Sequence, residues 1–384
     1  MAAPNNNLSA IQNVMFSAAQ DVAAEPFGIV DGINTSFDNK GVAKGDKVKV
    51  TVAPAASLSD FTASNVPPQG SDKTAGDVEV EITASKKTDW HLTGEQVRSL
   101  QNAGNDNEWA RQLLAQGMRA LRNQAEADCA AAIKVRSGLA IGTAGTTPFG
   151  SDIDVIADVR KVLRDNGAPM SDLQLAVNTS SYLNLLKLGI VQQAMVAGSD
   201  AERRTGKLMP QFGFKIFESA GLTKHTKGTV TGLDTDTGGN VAVGTTSFNI
   251  DGGNGGTLLA GDVFTIAGDS TKYISHTALA AATDDHTLVI AKPGVRVLCA
   301  NGTEITIGDD YTPNFAFERA AVVGVMRPPI MPPNPTIKQL VMSDEKGMSY
   351  LLLEIAQYGM VTWELHLAWG FKVIQPEYVV TLLG

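Results

Sequence analysis

Residue types able to do chemistry are sparse in this chain and poorly grouped. Its five histidines, His91, His225, His276, His286 and His366, are scattered over 384 residues. None stands at ligand spacing from another or from a cysteine, so the tetrahedral set of a zinc site is missing. The run Gly252-Gly253-Asn254-Gly255-Gly256 lacks the strand before it and the helix after it that a phosphate-cradling loop requires. It reads as a flexible link or loop tip. Asp234-Thr-Asp236-Thr-Gly238-Gly239 echoes the start of a calcium loop, but the third acid and the closing bidentate glutamate are absent, which leaves a solvated turn. No Walker loop, His-Glu-x-x-His helix or Gly-x-Ser-x-Gly elbow occurs. His366 falls on the polar face of a strand pattern and reads as a surface or packing residue. Cys129 sits among alanines and reads as a small buried thiol. The sequence thus nominates no catalytic, cofactor-binding or metal-ligating residue, and the expectation is a protein that is not an enzyme and carries no cofactor.

One charged pattern stands apart. Asp46-Lys-Val-Lys-Val-Thr-Val52 alternates with Val48, Val50 and Val52 on one face, and Asp77-Val-Glu-Val-Glu-Ile-Thr83 alternates with Val78, Val80 and Ile82. Lys47 and Lys49 then share the polar face of the first strand, Glu79 and Glu81 that of the second. An acid pair at Glu79 and Glu81 is conceivable on types alone. Beside lysines on a partner strand, however, the two carboxylates read as one side of a matched-charge hairpin. Between the strands, Pro54–Gly76 is a long polar connection carrying Pro67-Pro68, far beyond the few residues a hairpin turn needs. Such a length marks an arm that reaches another molecule. Lys47, Lys49, Glu79, Glu81 and, in the tip, Asp60 and Lys73 are the candidate intersubunit residues.

The rest of the chain must carry that arm. There are 31 Lys and Arg against 40 Asp and Glu, a net charge of −9, and hydrophobic residues make up 43 %, so the composition is that of a folded chain with two or three folding units. The acidic balance argues against a nucleic-acid reader, which needs a basic face. Two cysteines exclude a disulfide framework. No apolar run reaches the length of a membrane span, and Met1–Ser9 lacks the pattern of a secretory signal.

Met1 to about Phe37 reads as an extended or loosely packed arm, with Ile11, Val14, Met15 and Ala18 at helical spacing. Asn107 to Val135 is the strongest helix signal, with Asn107 as its N-cap. Trp109, Leu113, Leu121 and Ala125 form one face, and Arg111, Arg119, Arg122, Glu126 and Lys134 the polar side. Asp152–Asn166 reads as a second amphipathic helix, Leu173–Asn178 as a strand, Thr179–Leu188 as a helix and Phe214–Phe217 as a strand. From His225 to Thr312 glycine, threonine and aspartate dominate. Short strands are expected at Asp262–Ile266, Thr287–Ile290 and Val295–Leu298, with one helical turn at Thr277–Ala282. Phe315–Val325 reads as a helix. Ser349–Ile355 and Val361–Trp369 read as a long hairpin whose greasy face (Val361, Trp363, Leu365, Leu367, Trp369) covers the long helix, and Tyr378–Leu383 as a closing strand. The fold class is α+β.

The order of these parts resembles the Hong Kong 97-type major capsid proteins of tailed bacteriophages, and most the coat proteins of the short-tailed Salmonella-phage type, which carry an inserted β domain. Thr88-Asp-Trp-His-Leu-Thr-Gly-Glu-Gln-Val97 resembles the approach of the extended loop to the spine helix. Leu175-Ala-Val-Asn178 with Ser180-Ser181-Tyr182 resembles the entry to the axial domain, and Gly213–Ser219 the strand leading to the insertion. Gly261-Asp-Val-Phe-Thr-Ile-Ala-Gly268 resembles a strand of the inserted barrel. Asn314–Ala320 with Met326-Arg-Pro328 resembles the exit from it, and Gly370–Pro376 the closing strands.

The resemblance implies an N-terminal arm over 1–37, an extended hairpin loop over 38–90, and the spine helix with the peripheral domain over 91–172. It implies an axial domain over 173–224 and 313–346, split by an inserted small β-barrel over 225–312, and a peripheral-domain hairpin with a closing strand over 347–384. It further implies a major capsid protein that self-assembles into hexamers and pentamers of an icosahedral head around double-stranded DNA, without sequence-specific binding. Its partners would be a scaffolding protein, a portal protein and, in some relatives, a decoration protein. Its place would be the virion, and the host cytoplasm during assembly, with no membrane. Lys73 and its neighbours do not establish the autocatalytic cross-link of some relatives, and none is expected. The alternatives are a bacterial nanocompartment shell of the same fold, a β-rich phage tail or adhesion protein, and a hydrolase with an unrecognised site.

Overall fold

A computed structural model describes residues 8–37, 40–52, 60, 76–103, 106–188, 208, 210–283, 286–332, 334, 337–344, 346 and 348–384. Its longest element is a helix of 31 residues, α3 (Asp106–Arg136), about 46 Å from end to end. The stretch holds no proline and a single glycine, Gly117. A Cβ there would sit 2.9 Å from Thr88 Cγ2, so the missing side chain is what lets a strand cross the helix closely. Asn107, expected as the N-cap, lies inside the helix, which starts one residue earlier.

The crossing strand is β4 (Ala84–Thr93), which continues into α2 (Gly94–Ala103). It belongs to a six-stranded sheet built around β18 (Met360–Val373). β4 lines one edge of β18, and β17 (Ser349–Gln357) followed by β15 (Val322–Arg327) lines the other. β16 (Ile337–Ser343) and β1 (Asn34–Phe37) complete the sheet. The turn at Tyr358-Gly359 joins β17 to β18, with Gly359 at φ +74° as the tight reversal requires. Alternation in β18 sends Leu365, Leu367 and Trp369 toward α3, where they bury with Leu114, Met118, Leu121 and Ala125. Trp369 Nε1 donates to Asp128 Oδ2 at 2.9 Å, which satisfies the indole in an otherwise apolar layer. The expected cover of the long helix by the terminal hairpin is therefore present.

The N-terminal segment is not loose. α1 (Leu8–Ala23) lies along α3 and buries Met15, Ala18, Ala19 and Val22 in the same core. Two residues of the polar side of α3, Arg122 and Glu126, are covered by protein. Both are buried, Arg122 donating to the carbonyls of Val22 and Glu25 with its guanidinium 4.3 Å from the Phe27 ring centre. Glu126 accepts from Ser219 Oγ at 2.6 Å.

The second sheet has eleven strands in one path. β5 (Leu139–Ile141), β19 (Val379–Leu383), β14 (Pro313–Glu318), β6 (Leu173–Asn178) and β7 (Phe214–Ser219) form one half. α4 (Asp154–Asp165) and α5 (Thr179–Lys187) pack there, with Ile156, Val159, Leu163, Tyr182 and Leu185 buried. β12 (His286–Val289), β9 (Ser247–Asp251), β8 (Leu233–Thr235), β13 (Glu304–Ile307), β10 (Val263–Ile266) and β11 (Lys272–Ile274) form the other half, all from the segment expected as an insertion. β11 pairs with β5, so the two halves are joined by a ladder, and Leu139 of β5 is part of the same hydrophobic cluster as the buried residues of 230–305. Within that segment Val295–Leu298 is not a strand and Thr277–Ala282 is not helical. Phe315–Val325, read as a helix, is β14, a short 3₁₀ turn at Arg319–Ala321, and β15. Every residue of β14 and most of β15 is buried, so the apolar run has no polar face to reveal its period, and the β-branched Val322, Val323 and Val325 favour strand.

The arm strands β2 (Lys47–Val52) and β3 (Gly76–Glu81) pair antiparallel in a separate two-stranded ribbon. Val80 and Ile82 are buried on the second face of the six-stranded sheet with Val323, Val325 and Ala368. Thr83 N donates to Trp369 O, and a Cβ on Gly370 would lie 1.9 Å from Glu81 O. That close approach fixes the position of the ribbon root.

Gly370→Ala should cost about 2–3 kcal/mol in urea unfolding by forcing Glu81 away from β18, whereas Gly94→Ala, with open space around it, should move the midpoint little. Replacing 225–312 by a short linker should strip Leu139 of its apolar partners and bare the β5 edge, giving an aggregation-prone chain when soluble yield and light scattering are measured.

Candidate assembly surface

The ribbon register places Lys47 opposite Glu81 and Lys49 opposite Glu79. Opposed residues share a face, so all four candidate side chains lie together, away from the buried Val80. One ion pair on this face is diagonal, Lys47 Nζ to Glu79 Oε2 at 2.9 Å. It holds the Glu79 carboxyl below its usual range, chiefly through the hydrogen bond from Lys47, and raises Lys47 in return. Lys372 Nζ from β18 donates to Glu79 O at 2.9 Å, which ties the ribbon to the sheet beneath. Lys47, Lys49 and Glu81 are exposed, Glu79 half-buried. Such exposed pairs add little to the stability of one chain. What they supply is a patterned, charged face on a rigid ribbon.

Asp60 is exposed, and Lys73, like most of the connection between β2 and β3, lies outside the described residues. Four of the six candidates are thus brought together, and the structure does not relate the other two to them. The domain limit expected at residue 90 also falls inside β4, which runs unbroken from Ala84 to Thr93 as part of the sheet.

Below the ribbon, β4 and β18 carry a second polar group that the sequence pattern does not reveal. His366, expected on a polar face, is 6 % exposed, and its Nε2 lies 3.0 Å from Glu364 Oε2. Lys87 of β4 also bonds Glu364. Burial pushes the His366 pKa down, against the pull of Glu364. Burial is also the largest single influence on Glu364 and acts to raise it, yet Lys87 and His366 together hold its carboxyl below the usual range. Alternation alone marks position 366 as polar-side, and no local signal shows that both faces of this sheet are covered.

The two ends of segment 225–312 are joined by a buried group. His225 Nε2 lies 2.8 Å from Asp262 Oδ1, Asp262 accepts from Gly228 N and Leu259 N, and Tyr311 OH donates to Gly261 O at 2.6 Å. His225 and Tyr311 also exchange backbone hydrogen bonds, which joins the start of the segment to its end. A His–Asp pair of this kind can orient a base, yet here its bonds are spent on backbone closure and the pair is sealed, so its chemistry is structural. Among the described residues no group of three His, Cys, Asp or Glu could hold a metal ion. Nor, among those residues, is any helix long and apolar enough to cross a membrane.

No family model matches this sequence, and no curated protein matches it. Among solved structures, the chain is similar to the capsid structure of the cyanophage P-SCSP1u at 14 % identity, covering 93 % of this chain and 88 % of that one, with a TM-score of 0.46. It is similar to the mature capsid of bacteriophage PhiM1 at 9 % identity, covering 91 % and 85 %, TM-score 0.44. It is also similar to a virus-like particle from Pyrococcus furiosus at 9 % identity, covering 97 % and 99 %, TM-score 0.44. These neighbours are capsid and particle proteins.

His366 and His276 are both held below the usual histidine range, mainly by burial. The unfolded chain therefore binds more protons than the folded one between the lowered values and the ordinary value near 6.5, and stability falls as pH drops through that window. Chemical denaturation at pH 7.5, 6.5 and 5.5 should show this decline, and His366→Gln should flatten it.

Proposed function

We propose that the chain is a capsid shell protein whose charged ribbon and its long connection lie across a neighbouring copy. The observation that carries this reading is the ribbon itself: a two-stranded arm with a matched-charge exposed face, rooted on a sheet that is backed by a helix of about 46 Å. A lone chain gains nothing from a 23-residue polar connection at 54–76 held on such a stiff mount. A shell does, because each subunit must grip the next without enlarging its own core. The sequence order that resembles the Hong Kong 97-type coat proteins supports the same reading.

In this reading 173–224 and 313–346 form the axial domain, converging at the centre of hexamers and pentamers, 91–172 and 347–384 form the spine and peripheral domain, and 225–312 is the inserted module. β15 and β16 of 313–346 pair with β18 and β17, so that piece also contributes to the six-stranded sheet. The shell would enclose double-stranded DNA, closed with the help of scaffolding and portal proteins, and would be open to a decoration protein. The net charge of −9 suits a container that must take up and release DNA without adhering to it. The protein would act in the virion, after assembly in the host cytoplasm.

Sedimentation velocity with electron microscopy of the fast fraction tests this directly. Co-expression with the scaffolding gene product should give megadalton hollow particles. Deleting 54–76 should leave a folded chain by circular dichroism that forms no closed shells. Normal shells from that deletion would remove the arm from the assembly role.

A further inference from the structure

β16 ends the six-stranded sheet, with β17 as its one strand partner among the described residues. In the register of that pair Asp344 N donates to Met348 O, so Lys338, Leu340 and Met342 turn their backbone groups toward β17. Ile337, Gln339, Val341 and Ser343 turn theirs away from the sheet. Ile337 N is taken by Asn334 O. Among the described residues no backbone hydrogen bond reaches the outward groups of Gln339, Val341 and Ser343. All three residues are exposed, Val341 by 44 %. Natural sheet edges are blunted by a charge, a proline, a bulge or a cover. The run Gln339-Leu-Val-Met-Ser343 holds no charge and no proline, and its pairing with β17 has no bulge. The one charged residue of the strand, Lys338, is engaged by Glu354 of β17 at 3.3 Å.

We propose that β16 pairs antiparallel with β16 of a second copy of this chain, across a two-fold axis at Val341. The order of side chains selects the same strand as the partner. About Val341 the run has the same polarity in both directions, with Leu340 and Met342 apolar and Gln339 and Ser343 polar. In this register Val341 faces Val341, Leu340 faces Met342 and Gln339 faces Ser343. No polar side chain then opposes an apolar one, and no like charges meet. The outward N–H and C=O groups of Gln339, Val341 and Ser343 fall opposite one another and pair. Leu340 and Met342 rest on the core that the sheet shares with α3, so the pairing carries that apolar layer across the axis. On the other face the two exposed Val341 side chains cover each other. A contact over 339–343 alone falls well short of the roughly 1,200 Å² that a stable complex buries. Two free chains therefore associate weakly, and the contact gains strength where copies are held side by side. It does not depend on the capsid reading.

Cross-linking of the full-length chain tests the pairing. Cys129 and Cys299 are buried, so a cysteine placed on the edge supplies the accessible thiol. In the proposed register the two Val341 Cα atoms lie about 5.5 Å apart and the two Ser343 Cα atoms about 13 Å apart or more. With a short bismaleimide at high protein concentration, Val341→Cys should form covalent dimers about tenfold faster than Ser343→Cys. Sedimentation velocity gives a second readout without the cross-linker. Val341→Lys sets two like charges face to face and should weaken self-association about tenfold. Val341→Pro, which an edge strand tolerates, removes the outward N–H and should weaken it as well. Dimers formed equally fast from both cysteines, or none from Val341→Cys, overturn the pairing. So does unchanged self-association in the lysine variant. Shells in which Val341→Cys fails to cross-link would discard the pairing and leave the capsid reading standing. Cross-linked dimers that build no shells with scaffold present would keep the pairing and count against the capsid reading.

Discussion

The structure depends on one packing layer, the apolar face of β18 laid against the long helix α3. Leu365, Leu367 and Trp369 fill the space above Leu114, Met118, Leu121 and Ala125, and burial of each large side chain in such a layer contributes about 1.5–3 kcal/mol. A 31-residue helix with a face this narrow is not stable by propensity alone. The sheet on one side and α1 on another make it a strut. The ribbon root is mounted on the second face of the sheet that covers that strut.

The second face of the same sheet explains the arm. Antiparallel sheets often leave one face to water, but here Val80 and Ile82 of the ribbon root, with Val42, cover Val323, Val325 and Ala368. Gly370 has no side chain because Glu81 passes directly over it. The ribbon is thus seated by apolar burial at its root and patterned by charge on its free face. The two properties come from alternate residues of the same strands, so β-alternation alone divides the buried face from the charged one.

Much of this was legible in order and period. The alternation of Lys47, Lys49, Glu79 and Glu81 predicted the ribbon and its charged face, the proline-free run predicted α3, and the pattern from Val361 to Trp369 predicted both β18 and its target. The helix expected at Phe315–Val325 is two strands for a physical reason. Strands buried on both faces show no polar phase, and helical spacing can be read into any continuous apolar run. The burial of Arg122, Glu126 and His366 was not legible for a related reason. Their types and phases mark a polar side, but whether that side meets water depends on what segment distant in sequence lies over it. The buried His225–Asp262 pair left no local trace either, since its partners are 37 residues apart and neither sits in a recognisable motif.

The sequence by itself determined the local elements: the helix, the charged ribbon and the hydrophobic terminal hairpin. Those follow from periodicity, breakers and residue type, which act over a few residues. Tertiary structure alone decided that α1 is packed along α3, that β11 joins β5 to merge the strands of 225–312 with the rest of their sheet, and that Arg122 and Glu126 lie buried. Each of these is a meeting of segments far apart in the chain. Burial and pairing at such meetings are set by the shape of the whole core, and no window of sequence contains it.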